Sequence, residues 1–206
     1  MRKLIVAEHI SLDGVIQAPG GPEEDSCGGF RLGGWIAPYT DEALSQELQE
    51  LLWQPFELLL GRRTYEIFAA YWPHIQAGSA NHAIAELFNG APKHVATHRP
   101  DTLAWQNSHA LAGDLADAVR ALKQQKGANL LTWGSGELVR QLIAAGLVDE
   151  LRLMIYPVML GRGKHLFGDD IQPSALTLVH STGTPSGVLL ARYARSGEVR
   201  TGRADK

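Results

Sequence analysis

The feature that most constrains this chain is a change of periodicity along it. Through the first two thirds, short apolar runs alternate with segments of helical spacing; after residue 150 the helices stop and only strand-like runs remain. Strands are read at residues 3–10, 56–60, 93–97, 105–110 and 129–133. Between them, residues 41–53 carry Leu44, Leu48, Leu51 and Leu52 on one helical face, and residues 115–126 carry Leu115, Ala118, Val119 and Leu122. Shorter helices are read at residues 64–71, 81–88 and 137–145. Residues 150–159, 175–180 and 188–195 close the pattern as strands. Alternation followed by an all-strand end predicts the α/β class. The central sheet is expected to be mostly parallel, with flanking helices and antiparallel C-terminal strands. No internal repeat or linker divides the chain, so residues 1–195 are expected to form one domain and 196–206 a polar tail.

At 206 residues with 45% hydrophobic side chains, the chain can bury a substantial core. A formal charge of -3 with no basic patch argues against a nucleic-acid partner. The single cysteine, Cys27, excludes an intrachain disulfide framework and suits a reducing compartment. The first apolar run breaks at Glu8 and His9, too early for a signal peptide, and no later run is long enough to span a bilayer. The expected setting is cytoplasmic, away from membranes.

Three of the predicted parallel strands end in chemistry-bearing residues. "FELLLG", ending in Gly61, runs into Arg62, Arg63 and Thr64; "KHVAT", ending in Thr97, runs into His98 and Arg99; "NLLTW" runs into Gly134, Ser135 and Gly136, then Glu137 and Leu138 of a helix. Carboxyl ends of parallel strands share one rim, where ligands bind in open α/β sheets. Helix N-termini there attract anions. Glycines at such ends are also ordinary turn punctuation. Cations at a helix start oppose its dipole by ~0.3–1 kcal/mol each, a penalty that a bound anion reverses. Together the three ends favour a phosphate-rich ligand. "GSGELV" lacks the third glycine of a dinucleotide fingerprint, and "GRGKH" at residues 161–165 lacks the spacing of a P-loop. The eight histidines offer no metal-ligand set, so no metal is expected.

The segment "LLLGRRTYE" resembles the Gly-Arg-x-Thr stretch of dihydrofolate reductases. "LLTWGSGELVRQLIAAGLVDELRLMIYPVMLGRGKHLF" resembles the C-terminal half of the related riboflavin-biosynthesis reductase domain, and "SLDGVI" its Leu-Asp-Gly after the first strand. The resemblance runs from about residue 3 to 195 and implies a dihydrofolate reductase-like three-layer sandwich using NADPH. It implies that Gly61, Arg62, Arg63 and Thr64 hold NADPH phosphates, with Arg62 directed at the ribose 2′-phosphate. Thr97, His98 and Arg99 would lie near the adenosine half. Gly134, Ser135 and Gly136, with Glu137 and Leu138 behind them, would back the pyrophosphate. The implied substrate is a small flat heterocycle, pterin- or pyrimidine-like, as in 5-amino-6-(5-phosphoribosylamino)uracil reduction, and the implied assembly is a homodimer.

Some positions depart from the resemblance. Val15 stands where riboflavin-pathway reductases commonly carry lysine, and no deaminase ligand set is present. Asp13 and Asp41 are the catalytic candidates. Asp41 reads first as the cap of the helix that follows it, and Asp13 equally as the start of an Asp-Gly turn. The Gly/Pro-rich segment 12–34 is long enough to be functional or mobile. In it and just beyond it lie Phe30, Trp35, Ile36 and Tyr39. Trp35 and Tyr39 are candidates to stack on a substrate, or to pack as a lid or at an interface. Two readings stand: an NADPH-dependent reductase, and a catalytically idle NADP-binding sensor or interaction module on the same fold.

Overall fold

In a computed structural model, which describes residues 1–168 and 171–204, the strand β1 (Leu4–Ser11) is buried along its whole length. Such a strand needs a neighbour on each edge and a layer on each face. The further strands are β2 (Phe56–Gly61), β3 (Lys93–Ala96), β4 (Ser108–Ala110), β5 (Asn129–Trp133), β6 (Glu150–Tyr156), β7 (Ala175–Gly183) and β8 (Leu189–Gly197). They form one sheet in the order β4-β3-β2-β5-β1-β6-β8-β7. Pairs from β4 through β6 are parallel, and β6–β8 and β8–β7 are antiparallel. The helices are α1 (Glu42–Leu52), α2 (Arg62–Tyr71), α3 (His82–Gly90), α4 (Leu115–Gln124) and α5 (Gly136–Ala144).

The alternation of side chains along β1 sorts these helices into two layers. Leu4, Val6 and Ile10 pack with Val119 and Leu122 of α4 and with Leu138, Val139 and Leu142 of α5. Ile5 and Ala7 face the other way, onto Leu51 and Leu52 of α1, Tyr65 of α2 and Phe88 of α3. The result is the expected three-layer α/β arrangement with an antiparallel C-terminal edge. No helix among the described residues is long and apolar enough to cross a membrane.

Several boundaries move for physical reasons. α2 starts at Arg62, two residues before the expected start, so both arginines belong to its first turn. β6 stops at Tyr156 because Pro157 has no N–H to give to the ladder. β4 shortens because Trp105 leaves the ladder: its backbone N–H donates to the Tyr65 hydroxyl at 2.9 Å and its ring is buried against Lys93. β8 continues to Gly197, two residues into the span expected as a tail, of which residues 205–206 lie outside the described residues.

The long segment after β1 is a packed flap. Val15 bridges to His165, and Gln17, Ala18 and Phe30 are buried. The Gln17 side chain donates to the Asp25 and Cys27 carbonyls at 3.0 and 2.9 Å and accepts from the Lys164 N–H at 3.0 Å. One amide thus joins both arms of the flap to the turn after β6.

Candidate cofactor-binding rim

At the carboxyl ends of β2 and β5, four of the predicted residues interlock. Gly134 and Ser135 both adopt left-handed backbone angles, φ 62° and 58°, which turn successive N–H groups into the protein. The Gly134 N–H donates to Glu8 Oε2 at 3.0 Å, and the Ser135 N–H to Thr64 Oγ1 at 2.9 Å. Ser135 Oγ accepts from the Gly61 N–H at 3.0 Å. These bonds fasten α2 and α5 to one another, and they commit the N–H groups of Gly134 and Ser135 internally. The donors left for an anion are Gly136, Glu137 and Leu138, which precede the first α5 bond, from Val139 N–H to the Ser135 carbonyl at 2.9 Å. A Cβ at Gly136 would stand 2.8 Å from Ile16 Cδ1, the movable end of that side chain, so glycine here leaves the backbone more open than any other residue would.

Beside this helix end, Arg62 and Arg99 converge on a residue that sequence reasoning missed. Glu66 Oε1 accepts from Arg62 Nε at 2.8 Å and from Arg99 Nη2 at 3.0 Å, and Arg62 Nη1 donates to the Arg99 carbonyl at 3.3 Å. The hydrogen bond from Arg62, with the charges of Arg62 and Arg99, holds the Glu66 carboxyl below its ordinary range. Two guanidinium groups share one carboxylate, so a positive charge remains for a ligand. The i,i+4 spacing of Arg62 and Glu66 was the available signal. Thr97 Oγ1 accepts from the Arg99 N–H at 3.0 Å and shapes the same loop, on which His98 is exposed.

Arg63 turns away from the pair. Its Nη2 lies 3.3 Å from Asp25 Oδ1, while Lys164 Nζ lies 2.7 Å from Asp25 Oδ2. Burial alone would raise the Asp25 carboxyl, but Lys164, the Cys27 N–H and Arg63 outweigh it and hold it down. Arg63 therefore fastens the flap to α2.

The two catalytic candidates are both occupied structurally. Asp13 accepts from Ser11 Oγ at 2.6 Å, from the Gly161 N–H at 2.7 Å and from the Leu160 N–H at 3.1 Å. These bonds overcome burial and lower its carboxyl to about 2. Asp41 caps α1 through the Leu44 N–H at 2.8 Å and takes the Ser186 N–H at 2.9 Å. The Leu44 bond leads the effects that keep it well below the carboxylate range. Neither is arranged to give up a proton near neutrality.

On the α1 side of the rim lies an aromatic wall. Tyr156 is fully buried and receives the edges of Trp35 and Tyr39, with ring centroids at 5.3 and 5.9 Å. Trp35 is itself buried and donates Nε1–H to the Gln17 carbonyl at 2.8 Å, so it builds the wall rather than standing free of it. Tyr39 is half-buried. His9 completes the group, with Nδ1 2.9 Å from the Tyr156 hydroxyl and its ring 5.3 Å from Trp133. Burial pushes the His9 imidazole down to about 4. Glu8 and His9 sit at the break in the first apolar run, which the sequence reading used only against a signal peptide.

The model of the RibD C-terminal domain matches residues 2–190, which take in β1 to β7, the start of β8 and both helix layers. The chain belongs to the RibD C-terminal domain family. Among its relatives is YyaP of Bacillus subtilis (strain 168), an uncharacterized protein, 26% identical over 95% of this chain and 96% of that one. YwjB of the same strain, also uncharacterized, is 27% identical over 86% of this chain and 89% of its own length. The fold is shared with a putative riboflavin biosynthesis protein from Shewanella sp. PV-4, at TM-score 0.69, 21% identity and coverage of 95% and 99% of the two chains. It is shared also with dihydrofolate reductase from Enterococcus faecalis, complexed with NADP(H) and RAB-propyl, at TM-score 0.58, 16% identity and coverage of 94% and 96%. The dihydrofolate reductase-like fold is thereby established. Within that family setting, Val15 is fully buried and its N–H donates to Ser11 Oγ at 2.8 Å, so it packs the flap where a lysine would present a charge.

Proposed function

We propose that this member of the family is an NADPH-dependent reductase that delivers hydride to a small, flat heterocycle of the pterin or pyrimidine class. The observation that carries the reading is the placing of two anion-binding devices on one rim: the α5 N-terminus, and the Arg62–Glu66–Arg99 cluster. The residues fit a dinucleotide with an extra phosphate. N–H groups of Gly136, Glu137 and Leu138 suit a pyrophosphate, and Gly136 leaves the backbone open to close approach. Arg62 and Arg99 suit a 2′-phosphate, because a guanidinium fork matches phosphate oxygens. Thr97 and His98, on the loop that carries Arg99, would serve the adenosine half. NADPH, when bound, supplies the hydride; the chain's own part is to hold it and to exclude water. The wall of His9, Trp133, Tyr156, Trp35 and Tyr39 offers a dry aromatic flank to a flat ring.

The second reading, an NADP-binding sensor without turnover, is favoured by one observation: Asp13 and Asp41 are ionised and bonded to backbone N–H groups. NADPH consumption across a panel of dihydropterins and 5-amino-6-ribosylaminouracil phosphates separates the two. Steady consumption with one compound is expected. NADPH binding without turnover on any of them would instead support the sensor.

A further inference from the structure

Glu8 interrupts a buried strand with a carboxyl group that is 2% exposed. Its Oε2 accepts the Gly134 N–H at 3.0 Å, whereas Oε1, itself buried, has no hydrogen-bond partner. A buried polar atom left without a partner calls for an explanation, because desolvation opposes it with nothing in return.

The location supplies one. β1 leads toward α1 on one face of the sheet, while its neighbour β5 leads into α5 on the other. Adjacent parallel strands whose connections part to opposite faces open a crevice between their carboxyl ends, the usual ligand site of an open α/β sheet. Ala7 pairs in register with Trp133, so Glu8 lies level with Gly134 at that parting. Its place in the alternation of β1 puts it on the α5 face with Val6 and Ile10.

We propose that Glu8 binds the nicotinamide half of the dinucleotide, its unpartnered Oε1 meeting the carboxamide. This inference rests on the cofactor reading above and names a contact which that reading did not assign. The choice of half follows from charge. Phosphates are drawn to the α5 N-terminus and to Arg62 and Arg99, which lie toward β2 and β3. Near Glu8 the Gly134 N–H alone opposes the effect of burial, and burial dominates, raising the carboxyl well above its ordinary range. The neutral acid is a hydrogen-bond donor suited to an amide oxygen, and it gives a phosphate no compensating cation.

The test compares NADPH with 2′,5′-ADP, which carries the adenosine end and the 2′-phosphate but no nicotinamide. Affinities are measured for wild type, Glu8→Leu and Glu8→Gln. Glu8→Leu is expected to weaken NADPH about tenfold, the loss of one good hydrogen bond, and to leave 2′,5′-ADP unchanged. Glu8→Gln keeps an acceptor for Gly134 and a donor for the amide, and should restore NADPH affinity. Equal weakening of both ligands by Glu8→Leu would reduce Glu8 to a brace for Gly134 and overturn the inference, as would no change in either. If wild type binds neither ligand, the cofactor reading itself fails and takes this inference with it. Should Glu8→Leu not fold, infrared difference spectra of wild type decide. The buried acid C=O band, assigned by its loss in Glu8→Gln, should shift with NADPH and not with 2′,5′-ADP; a band that moves with neither contradicts the proposal.

Discussion

Acidifying the protein from near neutrality to pH about 4.5 is expected to remove about 2–3 kcal/mol of folding stability through His9 alone. The buried imidazole stays neutral in the folded chain down to about 4, whereas an exposed histidine protonates near 6.5. Between those values the unfolded chain binds the extra proton, so stability is present above pH 6.5 and is lost as pH falls through the window. At ~1.4 kcal/mol per pH unit, the full span is worth about 3 kcal/mol. Glu8 acts with the opposite sign: its raised carboxyl favours the folded state as pH falls, so part of the His9 loss is masked in wild type. Urea unfolding of wild type and His9→Gln at both pH values isolates the effect, since Glu8 and the surface carboxylates are common to both. The difference between the two proteins should shrink or reverse on acidification; a constant difference would mean that His9 titrates normally.

Lys93→Met is expected to destabilise the chain by about 3 kcal/mol while leaving cofactor affinity untouched. Lys93 is fully buried, and its Nζ donates to the Ala91, Asn89 and Gln106 carbonyls at 2.8, 3.1 and 3.1 Å. It also stands 4.1 Å from the centroid of the Trp105 ring. Burial lowers its ammonium to about 8, so the charge is still present at neutral pH. Methionine matches the stem but not the donors, and it strands buried carbonyls at ~1–3 kcal/mol each, partly offset at Asn89. Asn89 keeps the Gln106 amide as a donor at 3.0 Å. The residue opens β3, at the end of the sheet away from the rim, so stability and binding should separate. A cost below about 1 kcal/mol by chemical denaturation would contradict this account of the buried ammonium.

What could be read from the sequence was local. The apolar spacing of Leu44, Leu48, Leu51 and Leu52 marked α1, and the unbroken Leu58, Leu59 and Leu60 marked a central strand. Both follow from periodicity, which a single chain displays openly. Arg62 stood out because a cation at a helix start opposes the dipole, and Arg99 and the α5 start because they follow strand ends on the same rim. The partners of charged groups were harder to see. The Asp25–Arg63 pair is 38 residues apart and forms only because the flap folds back over α2. Asp13 reaches Gly161 across 148 residues. Neither bond has a periodic or local signature, and each gives a structural partner to a side chain that sequence reasoning had considered only for the ligand or for catalysis and a local turn. Glu8 and His9 were visible as breaks in an apolar run, but only the parting of β1 and β5 gives the break a meaning.

The central claim is that the rim holds a dinucleotide by its extra phosphate, and the direct measurement is paired titration with NADPH and NADH, repeated with Arg62→Ala. Wild type should prefer NADPH, and the variant should lose most of that preference, since a charge-assisted hydrogen bond contributes roughly 1.5–3 kcal/mol. Equal affinity of wild type for the two nucleotides, or a preference that survives Arg62→Ala intact, would contradict the account.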